Sequence, residues 1–292
     1  MPSLISVQSQ VCFGHVGNSA ATFPLQLLGI DVHAVPTTLL SNHPAHPSVY
    51  GREIEAELLE DLLKGLSERG AFARSSGLLS GYLTSVANGD VLVRALKDYK
   101  KQNPKGVYIL DPVMGDQGSG LFVREGIPDL IADQLLPLAD IITPNKFEFE
   151  ILVGAKAAGY PEMISLARSL MIAQSINCVV ITSANASVEE GRNTESGQQG
   201  RTAVLVIKKN SAWLLETPLF DQHFSGTGDL FASILVGWVL KGDAVEVAAQ
   251  RAVTAVYAIL KQTTASGSAE LNLITNYKCI FKSGDLFTLK IV

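Results

Sequence analysis

The sequence Gly226-Thr227-Gly228-Asp229 stands at the start of a long apolar segment that is typical of a helix. Its glycines let the chain turn sharply and leave backbone N–H groups uncovered. Such N–H groups at a helix N-terminus bind anions, with help from the helix dipole. The segment therefore predicts a phosphate site, in which Asp229 is either a capping carboxylate or a catalytic base. We expect the position at the helix start to lower the pKa of Asp229.

Acidic residues also follow two apolar segments that are typical of buried strands. Asp111 follows Val107–Leu110, with Asp116 a short loop later. Glu148 lies in the first turn of a predicted helix after Ile141–Thr143. Ligands of open α/β sheets bind at the carboxyl ends of strands, and Mg²⁺ prefers one or two carboxylates together with substrate phosphates. Asp111 and Asp116 are therefore candidate Mg²⁺ ligands, although an Asp-Pro turn and a helix-start preference for Glu are the alternatives.

Hydroxyl side chains follow two further strand candidates. Ser9 follows Leu4–Val7, and Thr182 and Ser183 close a nearly all-apolar segment. Hydroxyls in such positions contact a phosphate or simply close a turn. Glycines after Ser9 allow a ligand to approach the chain closely, whereas Asn18 is interpreted as a cap of the next helix.

Two histidines, His43 and His46, share the loop Ser41–Pro47. A metal-binding pair is one interpretation, because imidazole is a common metal ligand. No third ligand is near in sequence, so a pair on a loop surface is the favoured interpretation.

Missing motifs disfavour several enzyme classes. The sequence contains no G-x-x-x-x-G-K-[ST] pattern, and Phe231 stands where a dinucleotide-binding loop beginning at Gly226 would need its last glycine. No G-x-S-x-G pattern occurs either, so Ser-His-Asp hydrolysis lacks support. A P-loop NTPase and a dinucleotide dehydrogenase are likewise unsupported.

Composition and charge narrow the remaining classes. The chain has 292 residues, 47% hydrophobic and 17% charged, which excludes a disordered protein. Its 23 basic and 28 acidic residues give a net charge of −5, which disfavours a nucleic-acid partner. No apolar run is long enough to span a membrane, and Met1–Val7 lacks the features of a secretory signal. We therefore expect a cytoplasmic protein without a membrane partner, whose three scattered cysteines are reduced thiols.

Short β-branched segments alternate with longer helical ones, and this alternation indicates how the candidate residues are positioned. It predicts one α/β domain over residues 1–292, with a central, mostly parallel sheet flanked by helices on both faces. The polar segment Asn185–Arg201 is predicted to be a flexible surface loop, followed by an antiparallel pair at Ala203–Ile207 and Ala212–Glu216. Further strands are predicted at Leu4–Val7, Val32–Val35, Gly77–Leu79, Val107–Leu110, Ile141–Thr143 and Cys178–Thr182, and helices at Asn18–Leu28, Glu53–Glu68, Val86–Lys101, Lys146–Val153, Pro161–Gln174, Asp229–Leu240 and Val245–Lys261.

Taken together, the motifs resemble those of the ribokinase-like superfamily and, more narrowly, of the pyridoxal (vitamin B6) kinases. The Gly-Thr-Gly-Asp motif alone marks only the superfamily, whereas Gln8-Ser9-Gln10 followed by Val16-Gly17-Asn18-Ser19 is far more specific to B6 kinases. The segment Thr37–Asn42 resembles the branch that accepts pyridoxine, pyridoxal and pyridoxamine. The matching segments, in order along nearly the whole chain, are Ser6–Val11, Gly14–Ala20, Leu40–His43, Ser80–Tyr82, Asp111–Asp116, Thr143–Asn145 with Glu148, and Gly226–Phe231.

The resemblance implies ATP-dependent phosphorylation of the 5′-hydroxymethyl group of pyridoxal, pyridoxine or pyridoxamine, which gives the 5′-phosphates. It assigns Asp229 as general base and the amides of Gly226, Thr227 and Gly228 as an anion hole for the transferred phosphate. One departure is Ala45, which stands where the nearest branch has a pocket histidine, with His46 one position later. The implied residues are Ser9, Val16, His43, His46, Tyr82 and Asp229 for the vitamer; Asp111, Thr143, Asn145, Glu148, Thr182, Ser183, Phe220, Thr227 and Gly228 for ATP; and Asp111, Asp116 and Glu148 for the metal.

The resemblance also implies ATP and Mg²⁺ as cofactors, a monovalent cation such as K⁺ as an optional further ion, and a homodimer. Two alternatives stay open: a hydroxymethylpyrimidine kinase, and a non-catalytic protein that binds a vitamer or pyridoxal phosphate. The Gln8-Ser9-Gln10 start argues against the first, and the intact Gly226–Asp229 and Asp111 argue against the second.

Overall fold

A ten-stranded sheet forms the centre of the computed structural model, which describes residues 1–185, 200–281 and 286–292. Its spatial order is β12-β11-β10-β9-β8-β5-β4-β1-β2-β3, and β6 and β7 form a separate two-stranded sheet. The strands are β1 (Ser3–Val11), β2 (Asp31–Leu40), β3 (Gly51–Glu53), β4 (Gly77–Ser80), β5 (Val107–Leu110), β6 (Gly115–Asp116), β7 (Gly120–Leu121), β8 (Ile141–Ile142), β9 (Cys178–Ile181), β10 (Arg201–Ile207), β11 (Ala212–Pro218) and β12 (Lys290–Ile291).

The neighbouring strands β2, β1, β4, β5, β8 and β9 are parallel, and antiparallel strands are added at both edges. Helices connect the parallel strands, as a parallel sheet requires. The helices are α1 (Asn18–Leu27), α2 (Ala56–Glu68), α3 (Ala71–Arg74), α4 (Val86–Gln102), α5 (Ile127–Leu130), α6 (Lys146–Val153), α7 (Tyr160–Gln174), α8 (Thr227–Leu240) and α9 (Val245–Ser266), with a π turn at Ile131–Leu135 and 3₁₀ turns at Leu136–Leu138 and Tyr277–Phe281.

Side chains alternate between the two faces of the sheet and bury a hydrophobic cluster on each. Leu78 joins the cluster that contains Leu92 of α4 and Met163 of α7, whereas its neighbour Leu79 joins the cluster that contains Leu25 of α1 and Ile234 of α8. Both β4 leucines are fully buried. Strands covered on both faces read as continuous apolar runs, which is why their positions could be predicted.

The predicted α/β architecture is confirmed, and the local differences have tertiary causes. The helix predicted from Glu53 begins at Ala56, because Gly51–Glu53 pairs with the end of β2. The predicted loop Asn185–Arg201 is wrong at its end, since Arg201 begins β10, and residues 186–199 lie outside the described residues. Within the described chain, no helix combines the length and hydropathy needed to cross a bilayer.

Asn18 ties together the first two strands and the first helix. Its carboxamide oxygen accepts a hydrogen bond from the Ser6 hydroxyl at 2.7 Å. Its amino group donates to the carbonyl oxygens of Gln8 and Val35, at 3.3 and 3.2 Å. The interpretation of Asn18 as a helix cap is wrong, because the N-cap is Gly17 and the side chain is buried against β1 and β2.

We predict that Asn18→Ala destabilises the protein by about 1–3 kcal/mol or more, because it leaves buried polar groups without partners. The free energy of unfolding from urea denaturation measures the change. Asn177→Ala is the matched control, since Asn177 is exposed and its side chain makes only a 3.5 Å contact with Asp140 among the described residues. We expect the control to stay within about 0.5 kcal/mol of the unsubstituted protein. Equal effects of the two substitutions would contradict a structural role for Asn18.

Candidate active site

The carboxyl ends of the parallel strands bring several of the candidate residues to one edge of the sheet. Leu110 at the end of β5 pairs in register with Ile142 at the end of β8, so the next residues, Asp111 and Thr143, are neighbours. The Thr143 hydroxyl donates to a carboxylate oxygen of Asp111 at 3.1 Å. Both side chains are buried at the carboxyl edge of the sheet. We call the region around them the crevice, because ligands of open α/β sheets bind in a crevice at this edge.

Glu148 is held by backbone donors from two sides. One carboxylate oxygen accepts the N–H groups of Met114, at 2.9 Å, and Gly115, at 3.4 Å. The other accepts the N–H of Asn145 at 2.9 Å, while the Asn145 side chain accepts the N–H of Glu148 at 2.9 Å. These reciprocal bonds form a capping box at the start of α6. Glu148 therefore both starts the helix and fixes the loop that follows Asp111.

Asp116 has a local role in this loop. One of its carboxylate oxygens accepts the N–H groups of Gly118 and Ser119, both at 2.7 Å. These bonds close the turn between β6 and β7. Its negative charge also contributes to the raised pKa of Glu148.

The start of α8 forms the turn that the Gly-Thr-Gly-Asp sequence predicts. Gly226 is the N-cap, with φ of 84°, and a Cβ there would overlap the carbonyl oxygen of His15. Only glycine suits both the left-handed backbone and the close approach. The first N–H groups of a helix have no partner within it, so those of Thr227, Gly228 and Asp229 are available to an anion.

Asp229 faces the turn before α1, where the N–H of Gly17 is close enough to its carboxylate to favour the ionised form. Asp229 is neither fully buried nor exposed. Burial raises the pKa of Asp229 above the usual value, and the Gly17 N–H only partly offsets this. The expectation of a lowered pKa is wrong, because loss of hydration outweighs the attraction of the helix start.

The other two carboxylates of the crevice are also harder to ionise than usual. The pKa of Asp111 is raised well above its ordinary value by burial, then by the charges of Glu148 and Asp229. Burial raises the pKa of Glu148 to about 7, against the opposing effect of its backbone donors. Like charges in a poorly hydrated crevice favour either protonation or a bound cation.

Three of the residues assigned to the vitamer, Ser9, Val16 and Asp229, lie close together. A Cβ on Gly17 would overlap the Ser9 hydroxyl, so Ser9 adjoins the turn whose N–H contacts Asp229. The backbone of Val16 is next to Gly226. Tyr82 follows β4, and its carbonyl accepts the Thr37 hydroxyl at 2.8 Å. Ser9, Val16 and Asp229 are thus brought together by the turn before α1.

His43 and His46 are not a free surface pair. The side chains are 11% and 29% exposed, and Nε2 of each is within hydrogen-bond distance of Glu270, at 2.9 and 2.8 Å. The favoured interpretation of the sequence is therefore wrong for the imidazoles, although Pro44 and Ala45 between them are exposed. Glu270 follows α9, far along the chain, so no local pattern could reveal it.

The residues assigned to ATP differ in how far their side chains are already engaged in contacts within the protein. The Asn145 side chain is committed to the α6 cap and to the carbonyl oxygen of Gly115, at 2.7 Å. Thr182 continues the sheet by pairing with Asn145, and Ser183 has a φ of 49° at the turn beyond. The ring of Phe220 packs against Tyr257 with centroids 5.3 Å apart, which makes an aromatic wall beyond β11.

The sequence did not reveal how the side chains of the N-terminal motif, Gln8-Ser9-Gln10 with Val16-Gly17-Asn18-Ser19, are used. The Ser19 hydroxyl donates to the carbonyl oxygen of Val11 at 2.7 Å and accepts the Val11 N–H at 3.2 Å. The Gln8 side chain donates to the Ser6 hydroxyl at 2.9 Å. Gln8, Asn18 and Ser19 of this motif thus support the strand ends. Ser9 and Val16 of the same motif instead lie at the turn before α1.

Donor groups at a helix start, opposite buried carboxylates at the carboxyl edge of a mostly parallel sheet, define a ribokinase-like phosphotransferase. Comparisons with known proteins agree. Residues 79–273 match the family described as phosphomethylpyrimidine kinase. The pyridoxal kinase PdxY of Rubrobacter xylanophilus is 37% identical over 277 residues, which cover 93% of this chain and 91% of the relative.

Solved structures show the same likeness over the full chain length. A pyridoxal kinase from Entamoeba histolytica superposes with a TM-score of 0.89 at 26% identity, covering 100% of both chains. A pyridoxal kinase from Leishmania donovani, in complex with ADP and pyridoxamine, superposes with a TM-score of 0.86 at 26% identity, again covering 100% of both. The chain therefore belongs to the phosphomethylpyrimidine kinase family, among the pyridoxal kinases. The predicted fold and class of enzyme are confirmed.

The raised pKa of Glu148 predicts a pH dependence of stability. Between the ordinary value of 4.5 and about 7, the folded protein holds a proton on Glu148 that the unfolded chain has lost. The free energy of unfolding should therefore fall as pH rises through this range. Glu148→Gln, which does not titrate, should flatten part of this slope, as measured by urea denaturation from pH 5 to 8.

The control for this experiment is Glu57→Gln, at an exposed position in the first turn of α2. It should leave the slope unchanged. Because a glutamine cannot accept the Asn145 N–H through its amino group, Glu148→Gln also lowers stability at every pH, and only the slope tests the assignment. An unaltered slope would contradict a raised pKa at Glu148.

Proposed function

We propose that this chain transfers the γ-phosphate of ATP to the 5′-hydroxymethyl group of pyridoxal and related vitamers, with Asp229 as the general base. The observation that carries the proposal is the arrangement at the start of α8. The unpaired N–H groups of Thr227 and Gly228 precede, in one turn, a carboxylate whose pKa is raised by burial. One turn thus provides donors for a phosphate and an acceptor for a proton.

In the proposed reaction, Asp229 accepts the hydroxyl proton while the alcohol oxygen attacks the γ-phosphorus. The bond from that phosphorus to the bridging oxygen of ADP breaks. Alcohols are weak nucleophiles, so a positioned carboxylate accelerates the step, and a raised pKa makes this carboxylate a better base than a hydrated aspartate. Because phosphoryl transfer passes through a loose transition state, the N–H groups contribute mainly by positioning and by stabilising the phosphate charge.

We propose Mg²⁺ as the ion that accompanies ATP, held near Asp111 and Glu148. The donor set fits, because Mg²⁺ takes oxygen ligands and binds through one or two carboxylates plus phosphates. Both Glu148 oxygens already accept hydrogen bonds from backbone N–H groups. The Asp111 carboxylate accepts one from the Thr143 hydroxyl at a single oxygen, so Asp111 is the more available ligand. The Asp116 carboxylate is occupied in closing a turn, so we propose that Asp116 contributes its negative charge rather than a ligand to the ion. When bound, the ion neutralises phosphate charge during transfer.

The remaining assignments divide the crevice between two ligands. The vitamer would lie on the side of the turn before α1, near Ser9, Val16 and Tyr82, with His43 and His46 at the rim. The nucleotide would follow the ends of β8 and β9 toward the aromatic wall. The residues proposed for ATP are Asp111, Thr143, Asn145, Glu148, Thr182, Ser183, Phe220, Thr227 and Gly228.

A second candidate activity is phosphorylation of hydroxymethylpyrimidine. It is favoured by the match of residues 79–273 to the family described as phosphomethylpyrimidine kinase. The two substrates share an aromatic ring with a hydroxymethyl group, so one base and one anion hole serve both. A homodimer, a cytoplasmic location, a monovalent cation and acceptance of all three vitamers stay predictions.

We predict that Asp229→Asn lowers kcat by about 10²- to 10⁴-fold, because the amide cannot accept the proton. Dissociation constants for pyridoxal and ADP, from calorimetry, should change little. The matched control is Asp221→Asn, at an exposed position of the segment before α8, and it should keep full kcat. A full kcat in Asp229→Asn would remove Asp229 as the base.

The substrate range is tested by supplying pyridoxal, pyridoxine, pyridoxamine and hydroxymethylpyrimidine with Mg·ATP and measuring the phosphorylated products. We expect turnover of pyridoxal, and turnover of all three vitamers would place the chain in the broad branch. A higher kcat/KM for hydroxymethylpyrimidine would favour the second candidate. Tight vitamer binding without any turnover would contradict the kinase proposal and favour a carrier.

A further inference from the structure

We propose that His43, His46 and Glu270 form a binding site for a transition-metal dication such as Zn²⁺, separate from the Mg·ATP carboxylates. Nε2 of His43 and Nε2 of His46 lie 2.9 and 2.8 Å from the same Glu270 carboxylate oxygen. The three ligand atoms all lie within 4.8 Å of one another. The inference goes beyond the proposed reaction, which expects these imidazoles only at the rim of the vitamer pocket.

Both imidazoles converge on one oxygen atom of Glu270. Glu270 has two carboxylate oxygens, yet both Nε2 atoms are directed to the same one, and the rings are only 4.4 Å apart between centroids. Two ligands of a tetrahedral ion with bonds of about 2.0–2.1 Å are roughly 3.3 Å apart. An ion would therefore need an opening of only a few tenths of an ångström between each imidazole and the carboxylate.

Neighbouring residues hold Glu270 and His46 in place. The φ of Gly14 is 88°, a backbone conformation that favours glycine, and its missing Cβ leaves room for the other oxygen of Glu270. The Glu270 backbone is fixed by Ser268, whose hydroxyl donates to the Glu270 carbonyl oxygen at 2.7 Å. The His46 ring packs edge-on against Phe13, with centroids 5.7 Å apart. The site is thus assembled before any ion binds, on three separate chain segments.

The donor set selects the kind of ion. Two imidazole nitrogens and one carboxylate oxygen suit Zn²⁺, Co²⁺ or Ni²⁺, whereas Mg²⁺ prefers oxygen ligands in octahedral geometry. Three protein ligands leave a position for water or another small ligand. Nδ1 of His43 is buried without a hydrogen-bond partner in the described chain. Because such a partner is usually worth 10- to 100-fold in metal affinity, we expect this site to be weaker by about that factor than one with a complete outer shell.

The measurement is a calorimetric titration of the full chain with Zn²⁺, without nucleotide, together with the visible absorption of bound Co²⁺. Intense Co²⁺ bands report a four-coordinate site with nitrogen ligands and would not arise from an octahedral carboxylate site. We expect one Zn²⁺ per chain at the site, undiminished by excess Mg²⁺. Loss of one ligand should weaken binding more than about 100-fold, since loss of an outer-shell partner already costs 10- to 100-fold.

The variants are His46→Gln and Glu270→Gln, with His223→Gln, at an exposed position, as the matched control. Asp111→Asn separates this site from the Mg·ATP carboxylates, because it should keep both the Zn²⁺ affinity and the Co²⁺ bands. His46 is the most exposed of the three ligands, so its variant keeps the test valid if Glu270→Gln fails to fold. Equal Zn²⁺ affinity in His46→Gln and His223→Gln, or loss of binding in Asp111→Asn alone, would overturn the proposal.

Discussion

Carboxylates crowded at the carboxyl edge of the sheet impose the main constraint on this fold. Asp111, Glu148 and Asp229 share a crevice in which burial raises the pKa of each. Ionised carboxylates need donors when they leave water, and here backbone N–H groups provide most of them. The loop after β5 and the turn before α1 follow the paths that bring those N–H groups to Glu148 and Asp229. The local backbone is thus arranged around negative charge.

This arrangement also relates the fold to phosphate chemistry. A phosphate brings further negative charge to the crevice, which the carboxylates alone would repel. In the proposed reaction, the start of α8 and a cation would provide the opposing attraction, so the carboxylates and the phosphate would bind together rather than in competition. The charge of Asp229 contributes to the raised pKa of Asp111, so the protonation of Asp111 depends on the state of Asp229. In the proposed reaction, the base and a metal ligand would therefore be coupled through their charges.

The sequence was sufficient for features that depend on nearby residues. The helix predicted at Lys146–Val153 has the observed bounds, because its capping residue and its apolar face are local signals. The residues that follow buried strands were identified because parallel strands place their carboxyl ends at one edge. The pKa of Asp229 could not be predicted in this way, since burial depends on how α8 packs against the turn before α1. The role of Asn18 likewise required knowledge of which strands are neighbours.

The turn before α1 shows why the least predictable features occur together. Its backbone contacts three partners that are distant in sequence: Gly14 lies against Glu270, His15 against Gly226, and the Gly17 N–H reaches Asp229. A side chain at Gly14 or Gly226 would overlap its partner, so these glycines set how closely the elements can approach. The histidine cluster and Asp229 therefore lie against opposite ends of one short turn. A change at Glu270 that displaced this turn would also move the Gly17 N–H near Asp229, although the two carboxylates belong to different proposed sites.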